Sequence, residues 1–412
     1  MTLKHRNCCR VCHSLSLVKF LDLGNMPLAG AFLSSDEVYN EKKYPLQVYF
    51  CKNCSLVQIL DVIDQDTLFF NYKYLSSVTK TLREHFLNYA KEIKSRFLKE
   101  DDLVVEIGSN DGVLLQPFKD LGVNYLGVEP AANIAKIAIS KGLRVITDYF
   151  TLQISDEIKR KNGKAKVICA NNVFAHIDDL DDVMKGIKNL LNSDGIFVFE
   201  VHYIKDLLEK FQYDTIYHEH LCYYSLTSLK FLMNRYDMEI FDVKKISIHS
   251  GSIRVYAKNG SNKKEIVQSS LEELMLEEKN IIYDIKIYQN FSDIIKKKRK
   301  ELQKTLEEIK KDHKKIIGYG ASGRGTILLN YCNIGKNILD YVVDDSPSRQ
   351  GLLIPGKHIP ILSSSVIEKD NPDYILTIAW NYDKEIIAKE QEYLKKGGKF
   401  IIPLPEVKII EN

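Results

Sequence analysis

The chain has 412 residues, a length that calls for two or three domains. Hydrophobic residues make up 45% and charged residues 27%, the mix of a globular protein, which excludes a disordered or collagen-like chain. The net charge of +3 is too small for a basic nucleic-acid-binding face, no apolar run approaches a membrane span, and the polar start Met1–Cys12 lacks an export signal, so a cytoplasmic protein is expected.

Eight cysteines are present, four of them in two C-x-x-C pairs, Cys9/Cys12 and Cys51/Cys54. Four thiolates in two knuckles can close a tetrahedron around zinc and leave no open position, so the expected site is structural. Two disulfides are the alternative, disfavoured without export. Cys8 has the wrong spacing for a knuckle, and the scattered Cys169, Cys222 and Cys332 read as buried thiols. Between the knuckles, Gly24, Pro27 and Gly30 punctuate a loop, and Leu46–Phe50 reads as a strand. A helix is predicted over about 78–98, with Leu82, Phe86, Tyr89, Ile93 and Phe97 on one face.

The pattern then alternates. Strands are expected at Leu103–Ile107, Tyr125–Val128, Val167–Ala170 and Gly195–Val201, with helices at Asn133–Lys141 and Asp181–Leu191. This is an α/β fold with a covered parallel sheet, closed by Glu239–Ser247 and Ser252–Lys258. The first turn, Glu106-Ile-Gly108-Ser-Asn110-Asp111-Gly112, follows a strand and opens a helix. Its spacing departs from the dinucleotide fingerprint and suits S-adenosylmethionine, which has no pyrophosphate; Asn110 and Asp111 add polar groups for the methionine end. Glu129, ending the next strand, is placed to accept from ribose hydroxyls.

Asn171-Asn172 and His176 follow the third strand. Tyr217-His218-Glu219-His220 is the densest titratable cluster in the chain. A histidine near pKa 6.5 can move a proton at neutral pH, and a tyrosine hydroxyl can stabilise an oxyanion. A second metal site or a plain polar loop are the other readings of this cluster. Residues from about Lys263 to Lys315 read as charged, solvated helix. A second strand-turn-helix follows: Lys315–Tyr319, the turn Gly318-Tyr-Gly320-Ala-Ser322-Gly323-Arg324-Gly325, and Thr326–Tyr331, with further strands at Asp340–Val343 and Tyr374–Ile378. That turn matches G-x-G-x-x-G, with Asp344 and Asp345 ending the next strand. It suits either a nicotinamide dinucleotide or the diphosphate of a nucleotide-linked substrate beside Arg324.

Taken together, these motifs give the chain a resemblance to the three-domain S-adenosylmethionine-dependent sugar C-methyltransferases, over essentially its whole length. The residues that carry it are Cys9–Cys12, Phe20–Ala29, Phe50–Gln58, Phe69–Ser77 with Tyr72 and Tyr74, Glu106–Gly112, Gly127–Pro130, Asp214–His220, Gly320–Gly325, Val343-Asp344, Pro355-Gly356 and Ala379-Trp380-Asn381. One departure is Arg324, where lysine is expected. The resemblance implies a zinc-binding domain over 1–75 and a class I, Rossmann-like methyltransferase domain over 76–260. A helical connection with a smaller Rossmann-like domain, which helps hold the nucleotide-sugar, covers 261–412. It implies S-adenosylmethionine at Glu106, Gly108, Asn110, Asp111, Gly112, Glu129, Asn171 and Asn172, and no nicotinamide. It implies substrate contacts at Gly320, Ser322, Arg324 and Asn381. It implies His220 as base, Glu219 orienting it, and Tyr217 with His176 at the enolate oxygen. The expected partner is a nucleotide-linked keto-deoxysugar, methylated at C3, with no nucleic acid or membrane, in a monomer or homodimer. Rival readings are an O- or N-methyltransferase, a nicotinamide-dependent enzyme and a zinc-knuckle adaptor.

Overall fold

The computed structural model describes residues 3–69 and 75–412; Tyr72 and Tyr74 lie outside the described residues. The chain gathers into two compact units. The first comprises Met1–Val18, Phe50–Lys205 and Leu221–Tyr283, the second Lys19–Tyr49, Asp206–His220 and Asp284–Asn412. No helix among the described residues is long and apolar enough to cross a membrane.

The first unit is built on a seven-stranded sheet. Its strands are β1 (Leu103–Ile107), β2 (Asn124–Val128), β3 (Val145–Ile146), β4 (Ala165–Asn171), β5 (Leu191–His202), β6 (Met238–Ile246) and β7 (Ser252–Asn259), in the spatial order β6-β7-β5-β4-β1-β2-β3. Strands β1 to β5 run parallel, and β7 and then β6 are added antiparallel. The apolar runs of β1 and β4 are buried on both faces, as parallel strands demand. Helix α1 (Lys80–Phe97) lays Leu82, Phe86, Tyr89, Ile93 and Phe97 on one face of the sheet, and the Thr79 side chain caps it through the Leu82 N–H. Strand order reverses between β1 and β4, which places a crevice outside the carboxyl ends of these two strands.

The second unit has a six-stranded sheet. Its strands are β8 (Ile316–Tyr319), β9 (Val342–Val343), β10 (Ile361–Leu362), β11 (Tyr374–Thr377), β12 (Lys399–Ile402) and β13 (Lys408–Ile410), in the order β10-β9-β8-β11-β12-β13. Only β13 is antiparallel. Here the order reverses between β8 and β11. The charged stretch expected from Lys263 is two helices, Ser269–Glu278 and the long α2 (Ile285–Lys311), and α3 (Gly323–Tyr331) follows the second glycine turn.

The sequence reading treats the segment around Gly24 and Pro27 as loop, but Leu17–Pro27 is an eleven-residue strand. The apolar positions Leu21, Leu23, Met26 and Pro27 are buried, and Gly24 adopts φ +84° so that the strand bends without ending.

Candidate active site

The two knuckles have the same local geometry. His13 follows Cys12 with φ +58°, and Ser55 follows Cys54 with φ +59°. His13 and Ser55 N–H groups return to the Cys9 and Cys51 carbonyls at 3.0 and 2.9 Å. All four Sγ atoms lie within 4.8 Å of one another, with Cys9–Cys54 and Cys12–Cys51 at 3.5 Å. Tetrahedral zinc with bonds of about 2.3 Å requires sulfurs roughly 3.8 Å apart, so the donor set fits the metal. Between the first pair, Arg10 is buried and points its Nε at Asp178 (3.1 Å), two residues beyond His176. Cys169, Cys222 and Cys332 are buried, as read from the sequence.

The first glycine turn folds back on β2. Gly108 and Ser109 donate to the Val128 carbonyl at 2.8 and 3.2 Å. Gly108 has φ +67°, and a Cβ there would lie 2.4 Å from Val173, so no other residue fits. Glu129 is buried and already accepts from two backbone N–H groups, Asn110 to Oε2 (2.8 Å) and Ala131 to Oε1 (2.9 Å). Burial still pushes its carboxyl above the ordinary range, against these two bonds. Asn110 and Asp111 turn toward the approach to α1. Asn110 accepts from the Ser76 N–H (2.9 Å), and Asp111 from Ser77 and from Lys141 (3.2 Å).

Glu106 sits at the end of β1 on the α1 side. Burial drives its carboxyl well above the usual carboxylate range, opposed by the Asn171 amide and reinforced by Glu129 and Asp111. Among the described residues, Glu106 Oε2, Ser109 Oγ and Asn172 Oδ1 are buried without a hydrogen-bond partner. These orphaned groups sit at the ends of β1 and β4, in the crevice that the topology predicts. A ligand bearing an ammonium group, hydroxyls and ring nitrogens answers them, so the residues fit S-adenosylmethionine. His176 lies in the short turn Phe174–His176, half-buried, with its N–H on the Val173 carbonyl (2.8 Å).

Beside Asn171 in the sheet register lies a charged group that the sequence reading missed. Glu200 is fully buried in β5 and pairs with Asn171 on one side and Arg254 on the other. Its Oε1 accepts from Arg254 Nε (2.7 Å), and His85 Nε2 stands 2.9 Å away. Burial alone would raise this carboxyl, but the His85 bond and the Arg254 charge hold it below the ordinary value. The signal is present in the sequence: an acid inside Phe197-Val-Phe-Glu200-Val and an arginine inside Ile253-Arg254-Val demand each other.

The titratable cluster belongs to the second unit, whereas the sequence attaches it to the first α/β half. Asp214 lies in the turn Tyr213–Thr215 and is fully buried. The rings of Tyr217 and His220 stand 4.0 Å apart, tilted by 33°. His220 Nδ1 lies 2.8 Å from the Thr215 carbonyl, and His218 Nε2 lies 3.2 Å from the Pro45 carbonyl. Glu219 keeps some surface, but its Oε2 is buried and partnerless among the described residues, and its Oε1 stands close to Gly30. Burial pushes Glu219 up to about 7, against a backbone hydrogen bond from Gly30. His176 and the Tyr217–His220 segment fall in different units.

The second glycine turn is filled largely by its own chain. Gly320 has φ +97°, and a Cβ there would lie 2.4 Å from the Ala379 side chain. Ser322 caps α3 through the Gly325 N–H (3.1 Å), and Asp344 accepts from the Ala321 N–H (2.8 Å). Arg324 meets Asp214 rather than solvent, with Nε and Nη2 at 3.0 and 3.1 Å from its two oxygens. Asn381 is half-buried in the turn Trp380–Tyr382.

Three family models match the chain: a zinc binding domain over residues 9–69, a methyltransferase domain over 82–243, and a C-methyltransferase C-terminal domain over 247–405. The C-methyltransferase NovU of Streptomyces niveus is 36% identical over 404 residues, covering 98% of this chain and 96% of the relative. The chain belongs to the sugar C-methyltransferase family. This C-methyltransferase is therefore an S-adenosylmethionine-dependent enzyme, and its four-cysteine cluster is a structural zinc site. Solved structures similar to it include an S-adenosylmethionine-dependent methyltransferase from Clostridium acetobutylicum, at 19% identity and TM-score 0.34, covering 45% of this chain and 93% of that one. Another is an S-adenosylmethionine-dependent methyltransferase from Archaeoglobus fulgidus, at 15% identity and TM-score 0.36, covering 43% and 94%.

Proposed function

We infer that this enzyme methylates carbon, at C3 of a nucleotide-linked 4-keto-6-deoxyhexose, after enolising the substrate. The observation that carries the reading is the 2.8 Å contact between His220 Nδ1 and the Thr215 carbonyl. A carbonyl only accepts, so neutral His220 carries its hydrogen on Nδ1, which makes Nε2 the basic nitrogen of the ring. A C–H beside a ketone is acidic enough for such a base because the enolate places its charge on oxygen. Tyr217, against the His220 ring, and His176 are read as donors to that oxygen. Glu219, its carboxyl pushed up to about 7 by burial, is read as orienting His220 from its place beside Gly30.

S-adenosylmethionine supplies a methyl group activated by its sulfonium. Glu106, Gly108, Asn110, Asp111, Gly112, Glu129, Asn171 and Asn172 are read as the wall that holds it. Glu106, Ser109 and Asn172 offer open polar atoms; Asn110 and Asp111 act by fixing Ser76 and Ser77. The nucleotide diphosphate is assigned to the second glycine turn through Gly320, Ser322, Arg324 and Asn381. The modules are read as 1–75 for zinc, 76–260 for methyl transfer and 261–412 for the nucleotide-sugar.

The test is solvent deuterium exchange at the carbon beside the ketone, without methyl donor, on dTDP-, GDP- and CDP-linked 4-keto-6-deoxyhexoses. General-base catalysis is worth about 10²–10⁴-fold, so His220→Ala loses at least about 100-fold in exchange and in turnover while still binding S-adenosylmethionine. Methylation without any His220-dependent exchange points to oxygen or nitrogen as the acceptor.

A further inference from the structure

Asp214 is a buried carboxylate with three donors arranged around it. Its Oδ2 accepts from Arg324 Nε (3.0 Å) and from the Trp380 indole N–H (2.8 Å), and its Oδ1 from Arg324 Nη2 (3.1 Å). The guanidinium also lies 4.8 Å from the Trp380 ring centroid, so it is fixed in plane as well as in distance. Arg324 stands in the first turn of α3, behind the Ser322 cap, and Trp380 stands in the turn after β11. The two groups that grip Asp214 thus come from the two loops flanking the reversal point of the second sheet.

The peptide after Asp214 is the one that matters to the base. The Thr215 carbonyl accepts His220 Nδ1 at 2.8 Å. Thr215 is itself held by its N–H and Oγ1, both on the Gln212 carbonyl at 3.1 and 2.8 Å, and the Ile216 N–H returns to the Tyr213 carbonyl. Side chain and backbone therefore leave this carbonyl one direction in which to point. A bidentate fork is stronger and more directional than a single ammonium contact.

We propose that Asp214, clamped by Arg324 and Trp380, is a positioning residue for His220: it fixes the Thr215 carbonyl, and that carbonyl fixes the tautomer and ring plane of the base. Arg324 then serves the reaction through the protein, by holding the catalytic segment, in addition to any contact with a diphosphate. The proposal deepens the reading of His220 as base and rests on it.

Tautomers are read by nitrogen chemical shifts of histidine in the full-length zinc-loaded protein, ¹⁵N-labelled at histidine, at pH 8. The His220 signals are assigned by their loss in His220→Gln. In the wild type, one form with the hydrogen on Nδ1 is expected. Arg324→Gln and Asp214→Asn raise the minor tautomer by about tenfold or more, Trp380→Phe raises it less, and Arg324→Lys lies between wild type and Arg324→Gln. Deuterium exchange on the dTDP-linked 4-keto-6-deoxyhexose falls in the same order, with the KM for S-adenosylmethionine unchanged. If Asp214→Asn does not fold, Trp380→Phe, which keeps an aromatic face and loses the indole N–H, and Arg324→Lys carry the comparison. A wild-type tautomer in Arg324→Gln and Trp380→Phe, or a wild-type protein with its hydrogen on Nε2, overturns the proposal. Retained exchange in His220→Gln overturns the base reading instead.

Discussion

Replacing Arg254 by methionine tests the buried charge group at the centre of the first sheet. Glu200 has no exposed surface, and Arg254 keeps 5% of its side chain exposed, so neither charge is compensated by water. Arg254 also stacks over Tyr89, 3.8 Å from the ring centroid, and reaches Glu92 at 3.1 Å. Methionine fills much of the volume but leaves Glu200 with His85 alone. Removing one partner of a buried pair costs about 3–5 kcal/mol. In a unit of this size, each kcal/mol lowers the unfolding temperature by about 2–4 °C, so a fall of roughly 6–20 °C is expected. The double variant Glu200→Gln/Arg254→Met removes both charges and recovers most of the loss. The pH dependence has a definite sign. The Glu200 carboxyl lies below its ordinary value in the folded protein, so its contribution is complete above about pH 4.3 and is lost as the pH falls through the folded value. The deficit of Arg254→Met therefore narrows in acid, where Glu200 takes up a proton. The assay is thermal unfolding by circular dichroism at one scan rate, at pH 4 and pH 7.5. A fall below about 3 °C at pH 7.5, or a double variant no better than the single, refutes the reasoning.

Metal analysis of the purified protein finds about one zinc per chain, and Cys51→Ser lowers both zinc content and soluble yield, because the binding energy of such a site is folding energy. Burial holds Glu219 near 7, so the folded protein resists ionising it, and the stability of Glu219→Gln relative to wild type grows as the pH rises from about 4.5 to 7. The expected gain is up to about 3 kcal/mol, checked by melting curves at pH 5 and pH 8. Burial pushes the Glu106 carboxyl up and a cationic ligand opposes that push, so proton release on S-adenosylmethionine binding, read by calorimetry in buffers of different ionisation enthalpy, is larger in the wild type than in Glu106→Gln. Glu106→Gln removes that part of the buffer dependence.

The elements that were legible in the sequence are those whose signal is local. The helix from Lys80 to Phe97 shows its 3.6-residue stripe, β1 and β4 are unbroken apolar runs, and each knuckle is complete within four residues. The strand Leu17–Pro27 was masked by Gly24, whose positive φ bends a strand rather than breaking it. The two-residue strand Val145–Ile146 is too short to carry a period. At the candidate site, the types of residue were legible and their partners were not. Nothing in Tyr217–His220 reveals that the partner of His220 Nδ1 is a backbone carbonyl, or that Glu129 is met by the Asn110 and Ala131 amides. Arg324 looked like a counter-charge for a ligand because its own counter-charge lies on a distant stretch of chain.

The make-up of the second unit bears on how the chain matures on the ribosome. Residues 19–49 emerge early, yet beyond the short stretch Asp206–His220 the rest of their unit begins only at Asp284. At roughly 5–20 residues per second, synthesis leaves them waiting for at least about 12 s. Phe20 and Phe32, both buried at the end, are without Tyr288 and Arg349, the groups their rings meet, throughout that interval. Nascent-chain survival thus depends on chaperone capacity early and on an intact carboxyl-terminal sheet late, so truncations after Tyr283 are expected to yield aggregates rather than a soluble methyltransferase fragment.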